Sequence, residues 1–369
     1  MNRLFRWDQM GLFLLALAAG ILPFAVPEVC AAALREGLTL CSGPLLLSLF
    51  PFLVVSRLLI QCPESDLLAL PFRLAAWGIG IRTPCAARVL CIGFLGGFAP
   101  AASAAAQAVR TGQLTAEEAD ALLPACICSG PSFVVLTVGQ SLLGSAELGV
   151  LLFASQITAN YLTAALLNRF AGVRSVKPKS AAPASPAPPR LDEILADAAI
   201  TYCKLCGFIL FFRMLAAGAG ALLPAGVGTL CSILLEVCSG CDLASRTGRW
   251  GSLLCCAALS VQGLSVLLQV RTICPPEMTL RPLYRARMLH LPLSLALFYL
   301  LLPGGEADVF STLPARVLLM RRVPPDCALL VFAVCCMAAC ALRSGIRQVE
   351  QKQMARNAGG CCINSKTLL

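Results

Sequence analysis

Long apolar stretches recur along the whole chain and are separated by short polar ones. They lie at residues 11–29, 43–61, 89–108, 121–143, 146–168, 204–224, 226–240, 252–270, 288–303 and 328–342. Because a membrane-spanning helix needs about 20 predominantly apolar residues, this pattern predicts an all-α polytopic membrane protein. The composition agrees, since 58% of the 369 residues are hydrophobic and only 13% are charged. That balance excludes a cytosolic enzyme, a secreted disulfide scaffold and a disordered chain.

Several apolar stretches are interrupted by glycine, proline or serine. The interruptions lie at Gly43-Pro44, Pro51, Gly96-Gly97, Pro100, Gly130-Pro131, Gly240 and Gly263. Backbone that leaves the helical path at membrane depth is tolerated only where it is buried in protein or lines a cavity. The sequence therefore predicts broken or re-entrant helices, which in transporters form the solute site.

The two parts of the chain on either side of a Pro/Ala-rich stretch resemble each other. GFLGGFAPAASAAAQAVRTG at 93–112 matches LLEVCSGCDLASRTG at 234–248, and CICSGPSFVVLTVGQ at 126–140 matches ALSVQGLSVLLQV at 258–270. Each is a small-residue break beside a helical stretch, in the same order. This predicts two pseudo-repeats, with an N-terminal helix at 1–30, a first repeat at 31–172, a linker at 173–190, a second repeat at 191–305, a C-terminal transmembrane region at 306–345 and a polar tail at 346–369.

Basic residues set the predicted orientation. Lys and Arg number 29 against 19 Asp and Glu, giving a net charge of +10. The linker carries basic residues and no acid, and loops rich in Lys and Arg stay on the cytoplasmic side. We therefore expect the N-terminus, the linker and the C-terminal tail in the cytoplasm, an uncleaved first helix rather than a signal peptide, and no nucleic-acid partner.

The 21 cysteines lie mostly inside apolar stretches, where cysteine serves as a small apolar residue for close helix packing. Two C-x-x-C pairs, Cys203/Cys206 and Cys238/Cys241, leave a zinc or redox site open as the alternative. The chain has one histidine, and we expect neither a metal nor a cofactor. His290 follows Arg287 at the start of an apolar stretch and is predicted to lie at the membrane surface, with a proton relay as the alternative. A basic loop is predicted from Arg271, Arg281, Arg285 and Arg287.

Glu236 is the strongest single candidate for transport chemistry. It lies inside an apolar stretch, where an ionised carboxylate costs roughly 3 kcal/mol or more unless it faces a cavity or a partner. It could couple protons, bind solute or cation, or make a structural pair. Arg57 and Arg213 could each offer a fork to a carboxylate, but snorkelling to the interface is the favoured interpretation.

The breaks themselves could present backbone N–H groups to an anion. Small-residue helix packing is the alternative explanation. The predicted solute-binding set is Ser129, Gly130, Ser132, Glu236, Ser239, Gly240, Gly263, Ser265 and Gln269.

These segments also resemble a known family. The first half contains, in order, Leu34-Arg35-Glu36-Gly37-Leu38, Leu49-Phe50-Pro51-Phe52, Gly96-Gly97, Thr115–Glu118 and Ser129-Gly130-Pro131. The second half contains, in order, Gly207-Phe208, Leu234-Leu235-Glu236, Ser239-Gly240 and Gly263-Leu264-Ser265-Val266. Over residues 31–302 the chain resembles the sporulation integral membrane proteins of the YlbJ type, which have two nucleoside-recognition (Gate) domains similar to parts of concentrative nucleoside transporters. The chain departs from that family at Gly96–Pro100, Ile127 and Gln262.

The resemblance implies transport of a small polar or anionic solute, with dipicolinate as the suggested cargo. It also implies a multi-pass protein of the bacterial cell membrane, with the outer forespore membrane as one option. The expected partners are the lipid bilayer and the solute, with a homo-oligomer or other sporulation membrane proteins left open.

Two functional classes remain open from the sequence: a carrier or channel, and a non-transporting scaffold that recruits sporulation proteins. An enzyme is not expected, because the chain has no H-E-x-x-H motif, no P-loop and no clustered aspartates.

Overall fold

The computed structural model describes residues 7–171 and 191–302, and the regular elements of these residues are all helical. The α-helices are α1 (Trp7–Ala25), α2 (Pro27–Ser42), α3 (Pro44–Gln61), α4 (Leu70–Gly78), α5 (Pro84–Gly96), α6 (Phe98–Arg110), α7 (Ala116–Cys126), α8 (Ala146–Ala171), α9 (Leu191–Leu222), α10 (Ala225–Leu235), α11 (Val237–Ser245), α12 (Gly251–Val261), α13 (Gly263–Ile273) and α14 (Arg281–Leu301). A π-helix (Ser132–Leu142) and two short 3-10 turns complete the set. The predicted linker at 173–190, the region at 306–345 and the tail at 346–369 lie outside the described residues.

Four described segments are long and apolar enough to cross a membrane. They are Pro27–Leu47, Ala146–Ala171, Leu191–Leu222 and Gly248–Ile273. The last is interrupted at Gln262 and is the most buried of the four, so it lies at the centre of the helix bundle. The prediction of an all-α polytopic membrane protein is confirmed.

In the first half of the fold, α5 and α6 form a re-entrant hairpin. A Cβ placed on Gly93 would lie 3.2 Å from the Cβ of Ala101, whereas eight residues along a straight helix span about 12 Å. The chain therefore turns back at Gly97. The hairpin is followed by a broken helix, formed by α7 and the π-helix, and then by the long helix α8.

The second half repeats this order. A Cβ on Gly240 would lie 2.8 Å from the Cα of Ile233, although seven residues of straight helix span about 10 Å. The chain therefore turns back at Glu236, between α10 and α11. A broken helix, α12 and α13, and the long helix α14 follow.

The two hairpins are inserted from opposite ends of the bundle. We call the end at Leu191, where α9 begins, the linker end. Helix α10 begins just after α9 finishes, and a Cβ on Gly228 would lie 3.0 Å from the Cα of Gly220, so the second hairpin starts from the far end. The first hairpin finishes at Arg110, which shares a cavity with Asp197 of the first turns of α9, so its open end lies at the linker end.

Most predicted interruptions are confirmed, and three predictions need correction. The chain breaks at Gly43, at Gly97, at 127–131 and at Gln262-Gly263. Pro51, however, lies within the continuous helix α3. Pro100 occupies the first turn of α6, where a missing N–H costs no intrahelical bond. Gly240 lies inside α11, and the break is at Glu236 instead.

Candidate functional site

The hairpin tip of the first half rests directly on the break of the neighbouring broken helix. Gly97 adopts φ +81°, a conformation that favours glycine, and a Cβ there would lie 2.7 Å from the backbone nitrogen of Gly130. No side chain caps the N-terminus of α6 at this tip. The backbone at Gly97 thus contacts the backbone at Gly130, and neither residue lies within a helix.

The second half places its tip and break together in the same way, with one difference. A Cβ on Gly263, which has φ +68°, would lie 2.9 Å from the backbone nitrogen of Glu236. The Glu236 carboxylate is buried and accepts hydrogen bonds from the N–H groups of Cys238 (2.8 Å) and Ser239 (2.7 Å). This tip therefore places an acceptor side chain of its own on the helix N-terminus, where the first N–H groups lack intrahelical partners.

The breaks of the two halves meet at the carbonyl oxygen of Ile127. Asn160 of α8 donates to this oxygen through Nδ2 at 3.3 Å, and Gln262 donates through Nε2 at 3.5 Å. Arg287 of α14 donates a third hydrogen bond through Nη2. A carbonyl oxygen has two lone pairs, so this point holds more donors than the acceptor can satisfy.

Arg287 is a buried cation with no carboxylate partner among the residues that the structure describes. Only 8% of its surface is exposed. Its other contacts are neutral oxygens, the Asn160 side chain at 3.5 Å and the Ser260 carbonyl at 3.4 Å, and its Nε has no hydrogen-bond partner. A buried charge without an opposite charge is strongly unfavourable. The arrangement therefore suits an anion as the missing partner.

A buried polar seam between α8, α12 and α14 continues from Arg287. The side chain of Gln156 donates through Nε2 to the Ser260 hydroxyl at 3.0 Å. The backbone carbonyl oxygen of Gln156 lies 3.2 Å from Nε2 of His290. The hydroxyl groups of Ser260 and Ser294 are hydrogen-bonded to each other. This seam joins α8 of the first half to α12 and α14 of the second.

Two residues predicted at the membrane surface lie in this interior. His290 is 1% exposed and Arg287 belongs to α14, so neither belongs to a surface basic loop. The signal that could have found them is their spacing, because they follow Leu283 at the intervals that mark one face of a helix. Polar residues on an otherwise apolar stripe indicate a buried polar contact rather than an interface.

Arg57 and Arg213 each pair with a carboxylate, contrary to the predicted snorkelling. Arg213 contacts Glu36 at 2.7 Å and joins α9 to α2. Arg57 pairs with Asp197 and joins α3 to α9.

The predicted solute-binding residues fall into two neighbouring groups. Ser129 is buried and Gly130 lies under the Gly97 tip, while Ser132 is exposed. The others surround the second tip and break, where Ser265 accepts a hydrogen bond from Gln269 at 2.9 Å; this group comprises Glu236, Ser239, Gly240, Gly263, Ser265 and Gln269. The Gln262 contact with Ile127 joins the two groups. Their role as a binding site stays a prediction.

The Glu236 cap leads to a testable prediction. Glu236→Ala should reduce the free energy of unfolding by about 1–3 kcal/mol, because two partly buried N–H groups lose their acceptor. Glu236→Gln should cost less, since its amide oxygen still accepts one of them. Thermal unfolding of the purified protein in detergent measures both. Glu277→Ala, at an exposed loop position, is the matched control, and an equal loss in this control would contradict the capping role.

Comparison with protein-family models, curated proteins and solved structures finds no match to this chain. The class of protein therefore follows from the fold and the arrangement of its breaks: an α-helical, multi-pass membrane protein with two broken helices and two re-entrant hairpins in the described residues.

Proposed function

We propose that this protein is a carrier that moves a small anionic solute across the membrane. The observation that carries the proposal is Arg287, a buried cation without an acidic partner at the point where the breaks of both halves meet. Together with Asn160 and Gln262 it provides an excess of hydrogen-bond donors around one carbonyl. An anion bound here would satisfy the donors and neutralise the charge.

The topology supports movement of the solute rather than binding alone. Two hairpins inserted from opposite ends, each resting on a broken helix, are typical of transporters that alternate access around a central site. Withdrawal of the first tip from Gly130 would open the site toward the linker end. Withdrawal of the second tip from Gly263 would open it toward the other side.

The resemblance to the YlbJ-type proteins supplies the proposed setting. In that setting the protein acts during sporulation, with the linker end in the cytoplasm, and dipicolinate is the first solute to test. Dipicolinate carries two carboxylates, the chemical group that an arginine fork binds in bidentate fashion. The scaffold function is the competing proposal.

Uptake into proteoliposomes tests the proposal. We expect saturable uptake of at least one small anion from a panel of radiolabelled dipicolinate, oxalate and inorganic phosphate, and no uptake of uncharged uridine. Empty liposomes give the background. A folded protein that takes up none of the anions would contradict the carrier and favour the scaffold.

A further inference from the structure

A second cationic site lies away from the breaks, in a cavity between α3, α6, α9 and α13. The cavity has a volume of about 170 Å³, which corresponds to roughly five or six water molecules at about 30 Å³ each. Its charged lining consists of Arg57, Arg110 and Lys204 against a single carboxylate, Asp197. Cations therefore exceed acids by two in a space that fits a small ion.

One of the residues that line the cavity is a buried arginine whose hydrogen-bonding capacity is only partly used. Arg57 is 9% exposed and its Nε has no hydrogen-bond partner. Its two terminal nitrogens contact Asp197 and the Thr201 hydroxyl, the latter at 3.2 Å. These contacts thus use two of the five N–H donors of the guanidinium.

The partner of this arginine is exposed and can be replaced. The Asp197 side chain is 62% exposed, against 10% for Arg57. Loss of Asp197 alone would leave Arg57 as a buried charge without a partner, which is costly. An oxyanion that enters the cavity can take the place of Asp197, because Arg57 then keeps an anionic partner while the exposed aspartate stays hydrated.

The remaining lining residues suit the same ligand. Arg110 and Lys204 are exposed, whereas Ser103 is buried and adds a hydroxyl. The lining thus combines two solvated cations with a buried, partly satisfied arginine. Such a distribution of charge raises the local concentration of anions.

We propose that this cavity binds a small oxyanion, a carboxylate or a phosphate group, which displaces Asp197 from Arg57. It serves as the vestibule through which the anion reaches the central site from the linker end. The vestibule role rests on the proposed carrier function, whereas binding in the cavity does not. None of the residues that surround Ile127 lines the cavity, so the two sites can be tested separately.

Binding of inorganic phosphate to the purified full-length protein in an uncharged detergent tests the cavity directly. Titration calorimetry should show Asp197→Asn binding phosphate about tenfold more tightly than the native chain, because the competing carboxylate is gone. Because the proposed central site could also take phosphate, Arg57→Gln is measured in the Arg287→Met background, where it should abolish the remaining binding. Asp242→Asn is the matched control, since Asp242 also pairs with an arginine, Arg246 at 2.8 Å, but lies outside the cavity.

An Asp197→Asn affinity equal to or weaker than that of Asp242→Asn would overturn the proposal. Should Arg57→Gln fail to fold, Lys204→Gln at the exposed rim should weaken phosphate binding instead. The Arg287→Met variant separates the two proposals, because it should lose uptake and keep phosphate binding in the cavity. Uptake without phosphate binding would refute the cavity alone, and binding without uptake in the native chain would refute the carrier alone.

Lipid headgroups are the other source of the same chemistry. Nanodiscs of phosphatidylcholine and of phosphatidylglycerol distinguish them. We expect phosphate to bind in both. If phosphatidylglycerol alone abolished phosphate binding, the cavity would be a site for an anionic lipid headgroup and the vestibule role would be overturned.

Discussion

Arg287→Met should abolish anion uptake while the protein remains folded. The guanidinium supplies the charge at the junction of the two halves, and a hydrogen bond to a charged group contributes about 1.5–3 kcal/mol. We therefore expect the apparent affinity for the transported anion to fall by roughly 10- to 150-fold. Methionine fills a similar volume, and removal of an unpaired buried charge is neutral or stabilising. The melting temperature in detergent should accordingly stay level or rise.

Two further variants sharpen this experiment. Arg285→Gln removes an exposed cation from the same helix and should leave uptake unchanged. Arg287→Lys keeps the charge but loses the planar fork, so it should retain part of the uptake. A melting temperature that falls in Arg287→Met, with uptake preserved, would show that the residue only holds the helices together.

Gly97→Ala should destabilise the protein more than any ordinary surface substitution. With φ +81° and ψ −162°, Gly97 lies in a backbone region that is essentially restricted to glycine, and a residue with a side chain there costs about 1–3 kcal/mol. The added Cβ would also lie 2.7 Å from the nitrogen and 2.9 Å from the Cα of Gly130, and overpacking of this kind typically costs about 1–3 kcal/mol more. The expected total is about 2–6 kcal/mol, measured by thermal unfolding and by the folded fraction in size-exclusion chromatography.

Gly112→Ala is a closely matched control for this prediction. Gly112 has φ +71°, but nothing lies within 4 Å of its Cβ position. It should show the conformational cost alone, about 1–2 kcal/mol. The same comparison can be made in the second half between Gly263 and Gly248, which has φ +66° and equally open surroundings. Equal losses within each pair would refute the close contact between tip and break.

The sequence was most informative where small residues interrupt apolar stretches. Gly97, Gly130 and Gly263 mark sites where the backbone must leave the helix or meet another segment closely, and the structure places a break at or beside each. Gly240 was misleading, because glycine also serves helix packing. The break lies at Glu236, whose carboxylate replaces the hydrogen bonds that the backbone lacks there.

The central cation was missed because its role depends on contacts across the fold. Arg287 lies in a short basic stretch that, taken alone, is typical of a loop at the membrane surface. Only packing of α14 against α8 and α12 removes it from water and brings it to the carbonyl of Ile127. The pairs of Arg57 with Asp197 and Arg213 with Glu36 are likewise 140 and 177 residues apart, so no local pattern reveals them.

The two hairpin tips differ in one respect that bears on the direction of transport. Equivalent positions hold Gly97 in one half and Glu236 in the other, so one tip has no side chain and the other places a carboxyl group on the N-terminus of its helix. In an inverted-repeat carrier with identical halves, the inward- and outward-facing states would be mirror images of equal energy. In the proposed carrier, the solute would leave past a glycine on one side and past Glu236 on the other. The two states of that carrier would then differ in energy, and its affinities on the two sides of the membrane would be unequal.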